Sequence, residues 1–128
     1  MNSSLKQVTQ SDITHISSES KSLVLLFKVD WCGECKLAES ILCEIRKEFY
    51  HSVSFYKIDI EAECEVSTVF GIRQTPSLLI SNKMDLPEII EGIKPKYFLR
   101  EALGQIVMNH QWRNTYWDIT SPVGKPNT

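Results

Sequence analysis

Two cysteines three residues apart carry the strongest chemical suggestion in this chain. They sit in the run Val29-Asp30-Trp31-Cys32-Gly33-Glu34-Cys35-Lys36, directly after an apolar, strand-like stretch and at the start of a helix-like one. A helix N-terminus presents unpaired N–H groups and a partial positive charge. That setting favours a thiolate, the form that attacks disulfides. The i, i+3 spacing brings the second sulfur round to the same face, where it can close a disulfide with the first. From residue types and spacing alone, the run is a dithiol redox centre. Cys32, nearer the helix start, is expected to be the exposed nucleophile, and Cys35, one turn deeper, to resolve the mixed disulfide by attacking Cys32. Trp31 offers a flat apolar surface to a substrate, Gly33 lets a partner's backbone approach closely, and Lys36 is a cation able to favour the thiolate.

The elements that must position this pair follow from periodicity. Residues 5–8 read as a short edge strand, and Ser11-Asp12 as the cap of a short helix reaching about Glu19. Ser22 to Val29 contains Leu23-Val24-Leu25-Leu26-Phe27, a continuous apolar run of the kind buried on both faces of a central strand. From Cys35 to Tyr50, Ala38, Ile41, Leu42, Ile45 and Phe49 recur at three- and four-residue steps, one stripe of an amphipathic helix. Val53 to Ile60 reads as a strand, and Glu61 to Phe70 as a weaker helix stopped by Gly71. Ser77–Ile80 and Glu88–Glu91 are short strands, and Pro95 opens a last helix to about Met108. The order β-α-β-α-β-α-β-β-α predicts an α/β fold, a central mixed sheet of four to five strands with helices on both faces.

Bulk properties narrow the function classes. A chain of 128 residues that is 42% hydrophobic and 23% charged suits one ordinary globular domain with a real core. A net charge of −2 gives no reason to expect nucleic acid or an anionic membrane as partner. No apolar stretch approaches the roughly 20 residues a bilayer span needs. The start, Met1-Asn2-Ser3-Ser4-Leu5-Lys6-Gln7, lacks the basic segment and apolar run of a secretory signal, and four cysteines are too few for a disulfide scaffold, so a cytoplasmic setting is expected.

Three segments, Trp31-Cys32-Gly33-Glu34-Cys35-Lys36, Phe55-Tyr56-Lys57-Ile58-Asp59 and Phe70-Gly71-Ile72-Arg73-Gln74-Thr75-Pro76-Ser77-Leu78-Leu79, resemble thioredoxin in order and spacing. Gly92 falls where that family has a glycine in its last strand region. The resemblance covers about residues 5 to 109. It implies a thioredoxin-like domain over 1–109, the thioredoxin fold, and a thiol–disulfide oxidoreductase acting on protein disulfides in electron transport and cell redox homeostasis. It further implies a monomer without a bound cofactor, regenerated by a flavin-dependent thioredoxin reductase using NADPH. The Thr75–Pro76 bond is then expected to be cis, its loop packed against the thiols, with the backbone of residue 75 and the neighbourhood of Gly92 receiving an extended substrate segment. Lys57 falls beside the active site in the resembling family and joins Lys36 as a cation able to favour the thiolate.

Departures from the family pattern bear on rate and potential. Leu26 stands where typical thioredoxins have a buried aspartate that helps move the resolving thiol's proton; either Cys35 is deprotonated less efficiently here, or another group such as Asp30, Glu34 or a water does that work. Glu34 replaces the usual proline between the cysteines, and a carboxylate beside Cys32 disfavours its thiolate, which places the couple toward the reducing side. Ser40 replaces a helix-kinking proline, so a straighter helix is expected.

The remaining cysteines are expected to be incidental: Cys43, off the apolar stripe, as a partly exposed free thiol, and Cys64 among Glu61, Glu63 and Glu65. Metal binding by Cys32 and Cys35 would need two further ligands, and His15, His51 and His110 are scattered without ligand spacing. Residues 110–128 form a C-terminal extension in which Trp112, Tyr116 and Trp117 pack on the domain or dock a partner, followed by a tail of disorder-prone composition from Ser121. Two other function classes compete with the oxidoreductase: a binding, assembly or chaperone module with slow or incidental thiols, motivated by Leu26 and the aromatic tail, and a metal-delivery protein using the dithiol as soft ligands.

Overall fold

The computed structural model describes residues 4–83 and 86–107, in the order β1 (Lys6–Val8), α1 (Gln10–Ser17), β2 (Ser22–Lys28), α2 (Gly33–Phe49), β3 (Val53–Asp59), α3 (Cys64–Phe70), β4 (Ser77–Ser81), β5 (Glu88–Glu91) and α4 (96–107). The five strands form one sheet ordered β1-β3-β2-β4-β5. β3 runs parallel to both β1 and β2, whereas β4 is antiparallel to β2 and β5 to β4. The sheet is mixed, as the alternation of elements predicts, and this is the thioredoxin fold.

β2 is central and buried along its whole length, which its unbroken apolar run requires. Its side chains alternate between two cores because successive residues of a strand point to opposite faces. Val24 and Leu26 join Ala38, Leu42 and Ile45 of α2 and Leu99 and Leu103 of α4. Leu23, Leu25 and Phe27 join Ile16 of α1 and Val66 of α3 on the other face. Each core side chain of leucine or isoleucine size removed from water stabilises the domain by about 1.5–3 kcal/mol before entropy is counted.

Local chemistry moves several boundaries. α1 begins at Gln10, one residue before the expected cap, because Asp12 Oδ2 accepts bonds from Thr9 N at 2.9 Å and Thr9 Oγ1 at 3.0 Å. α3 starts at Cys64 rather than Glu61, since Asp59 Oδ1 accepts the N–H groups of Glu61 and Ala62 and holds that stretch as a turn. Gly71 ends α3 in the left-handed region, φ 66°, where a side chain would be strained. α2 begins at Gly33, two residues earlier than its apolar stripe indicates, and runs unbroken through Ser40. The Pro95 carbonyl accepts bonds from Phe98 and Leu99 N–H at the head of α4. The expectations for the 110–128 extension and for His110 lie outside the described residues. Among the described residues no helix is long and apolar enough to cross a membrane.

Candidate active site

The early start of α2 has a chemical consequence: Cys32 is its N-cap. Cys32 has extended backbone geometry, φ −100° and ψ 111°, and its Sγ accepts the Cys35 N–H at 3.1 Å. A sulfur thus takes the place of the usual capping oxygen and satisfies one of the first-turn donors. Cys32 is partly exposed, while Cys35 is only 3% exposed; both are free thiols. The order expected from the motif, an accessible first sulfur and a sheltered second one, is what the fold produces.

Cys35 is pushed up to about 11, first by burial, then by the contact with Cys32, with partial relief from Val29 and Thr75. Cys35 is therefore a thiol, not a thiolate, near neutrality.

Trp31 stands 74% exposed beside Cys32, and its indole Nε1 donates to Glu61 Oε2 at 3.0 Å. That bond links the residue before the first cysteine to the turn after β3. Gly33, Glu34 and Lys36 are exposed on the first turn of α2, with no atom within 4 Å of a side chain built on Gly33. Across from them, the Thr75–Pro76 peptide is cis. Thr75 Oγ1 lies 4.0 Å from Cys32 Sγ, so the loop before β4 faces that sulfur. Gly92 N donates to the Pro76 carbonyl at 2.9 Å, and Gly92 has φ 82°. A side chain there would be strained and would press on the Gln74 amide at 3.4 Å. Thr75, Pro76 and Gly92 therefore form one continuous rim beside Cys32.

Cys35 also borders a cavity of about 380 Å³, bounded by Lys28, Val29 and Asp30 at the end of β2, by Lys36 and Glu39 on α2, and by Lys57 on β3. Lys57 directs its charge to Glu39: its Nζ is 2.8 Å from Glu39 Oε2, with both side chains 15% exposed. Leu5 N donates to the same Oε2 at 2.7 Å. Nearby, Lys28 Nζ pairs with Asp30 at 2.6 Å and lies 3.8 Å from Asp59. Lys28 thereby holds the Asp30 carboxyl below its ordinary range.

The motif-based analysis missed Glu39 and Lys28. Glu39 had a signal: it follows Cys35 by four residues, hence on the same helix face. It was overlooked because a carboxylate next to the apolar stripe reads as solvent-facing. Cys43 corrects another expectation. It is 6% exposed rather than partly exposed, packs in the α2–α4 core, and burial raises its thiol. A residue flanking the apolar stripe is covered here because α2 packs against both the sheet and α4. Cys64 is exposed, as an incidental thiol would be. Among the described residues no group of three or more His, Cys, Asp or Glu converges on a metal-binding point.

Comparison with known proteins agrees with the geometry. The thioredoxin family model matches residues 4–105. Thioredoxin from Listeria monocytogenes is 33% identical over 104 residues, spanning 80% of this chain and 99% of the relative. Thioredoxin from Bacillus subtilis is 31% identical over 104 residues, spanning 80% and 96%. Among solved structures, chloroplastic thioredoxin z superposes with a TM-score of 0.74 at 26% identity, covering 83% of this chain and 96% of that one. Thioredoxin from Trypanosoma brucei brucei gives 0.72 at 27% identity, covering 84% and 94%.

Proposed function

Because the chain belongs to the thioredoxin family and is a thiol–disulfide oxidoreductase, we propose that it reduces protein disulfides through Cys32 as nucleophile and Cys35 as resolving thiol. The observation that carries this assignment is the capping geometry: Cys32 Sγ sits at the open end of α2, accepting the Cys35 N–H at 3.1 Å, with the Cys35 thiol buried behind it. The Cys32 thiolate attacks one sulfur of a substrate disulfide and the other leaves as a thiol, giving a mixed disulfide. Cys35 then loses its proton and attacks Cys32 Sγ. The bond between Cys32 and the substrate breaks, the second substrate thiol leaves, and the two electrons the substrate has gained are those the enzyme loses in forming its Cys32–Cys35 disulfide.

The rim of Thr75, Pro76 and Gly92 suits an extended substrate segment laid beside Cys32, and exposed Trp31 and Gly33 suit a partner's close approach. Glu34 tunes the potential at the first turn of α2. Lys36 and Lys57 add positive charge near the dithiol. The domain, 1–109, works in the cytoplasm as a monomer in electron transport and redox homeostasis, with an NADPH-dependent thioredoxin reductase returning it to the dithiol. No bound cofactor is required. Family membership does not favour the binding or chaperone alternative.

Insulin reduction with dithiothreitol, run beside Cys32→Ser, tests the assignment. Loss of activity in the variant is expected; equal activity would remove Cys32 from the chemistry.

A further inference from the structure

A buried thiol must lose its proton before it can resolve a mixed disulfide, and position 26 of the central strand offers no acid or base to take it: Leu26 is fully buried among apolar side chains. The charges near Cys35 come instead from the cavity wall. From β2 and the loop after it come Lys28 and Asp30, paired at 2.6 Å, but the Asp30 side chain stands 81% exposed, whereas that of Glu39 is 15% exposed. Glu34 does not line the cavity. Glu39 does, one helical turn beyond Cys35 on the same helix face.

Its two oxygens are used unequally. Leu5 N and Lys57 Nζ both bind Oε2, and among the described residues Oε1 takes no hydrogen bond from the protein. The side chain is thus fixed by one oxygen while the other remains available to the cavity. The cavity has room for several waters, each occupying about 30 Å³ as liquid. Resting on the Cys32–Cys35 exchange proposed above, we infer that Glu39 accepts the Cys35 proton through cavity water during resolution, with Lys57 and the Leu5 N–H holding the carboxylate in place.

In the mixed disulfide, the S–H proton of Cys35 passes to water and a proton from that water to Glu39 Oε1. The Cys35 thiolate then forms the bond to Cys32 Sγ as the substrate sulfur departs with the electron pair of the broken bond. Glu39 afterwards returns its proton to solvent. The groups that share this environment are Cys35, Lys36 and Cys43 on α2, Lys28 at the end of β2, Asp30 after it, and Lys57 and Asp59 on β3.

Stopped-flow reaction of the reduced full chain with dithiobis(nitrobenzoate), in a Cys64→Ser background, separates two releases of coloured thiolate: one from attack by Cys32, one from resolution by Cys35. Glu39→Gln keeps the shape and removes the base. It is expected to leave the first release within twofold and to slow the second about tenfold or more near pH 7, the gap closing as hydroxide takes over at high pH. Glu39→Asp is expected to retain the wild-type pH profile with a smaller slowing. A second release unchanged by Glu39→Gln, or slowed equally at all pH values, overturns the inference. If that variant does not fold, an unchanged second release in Glu39→Asp overturns it, and a selective slowing supports it. Absence of the first release in the Cys64→Ser chain that keeps Glu39 would instead defeat the assignment of Cys32.

Discussion

The mouth and the floor of the site differ in how they are built. At the mouth, Trp31, Cys32 and Gly33 are set by the exposed start of α2, and Thr75, Pro76 and Gly92 by backbone placement, the cis bond at Pro76 and the bond from Gly92 N to its carbonyl. One helical turn below, the charges are arranged by this chain's own contacts. Leu26 fills the strand position with hydrocarbon, and Lys57 reaches across to Glu39 on α2. The contrast teaches that a reaction's contact surface is held by local motif geometry, whereas a buried charge is free to move between elements provided its partner can follow.

The largest effect that would sharpen this contrast comes from the thiols. Cys35→Ser is expected to abolish turnover while leaving Cys32 able to form a mixed disulfide with a protein substrate, visible on a non-reducing gel. Failure to trap any adduct would break the division of labour between mouth and floor.

Next come the floor charges. Lys57→Met leaves the Glu39 carboxylate mostly buried without its cation, and should cost about 3 kcal/mol in urea unfolding. A loss no greater than about 0.5 kcal/mol would mean the pair behaves as an exposed one. Leu26→Asp alone buries a second carboxylate beside a lysine already engaged and should destabilise by about 2–4 kcal/mol. In a Glu39→Gln background Lys57 is released to the new carboxylate, and at least about 1 kcal/mol of that loss should return. Strict additivity in the double-mutant cycle would show that the two positions do not compete for Lys57.

A smaller effect belongs to the mouth. Glu34→Pro removes a carboxylate next to Cys32 and should raise the reduction potential by up to about 30 mV, a tenfold change in the exchange constant with glutathione. A shift toward more reducing values would refute the electrostatic account of that position.

The mildest test uses pH. Cys35 sits near 11 when folded, against an ordinary value of 9.0. The folded state therefore favours the neutral thiol. The resulting stabilisation is complete below about pH 9 and is lost as pH rises through about 11, because the unfolded chain ionises first. Melting of the reduced protein should fall across that window more steeply than melting of Cys35→Ser; parallel curves would discount the burial of Cys35.

Much of this was legible in the sequence. The continuous apolar run of β2 announced a two-sided core, and Gly71 and Pro95 marked the ends of α3 and α4 correctly. The dithiol was legible because its two cysteines lie three residues apart, and the rim because Thr75-Pro76 and Gly92 fall within the stretch that resembles thioredoxin. The Glu39–Lys57 pair was not, since it joins residues 18 apart whose meeting depends on how α2 lies over β3. Cys43 escaped for a related reason: helical periodicity predicts one buried stripe, and a helix pressed between a sheet and a neighbouring helix buries a wider one.

The 2.7 Å bond from Leu5 N to Glu39 Oε2 ties the backbone just before β1 to a side chain 34 positions downstream. The approach to β1 is thus tied directly to the carboxylate inferred above to take the Cys35 proton. An affinity tag, a fusion partner or a trimmed start that drags on residue 5 is not a silent handle on this enzyme but a remote adjustment screw, and kinetic comparisons between preparations with different leaders should be matched at that end.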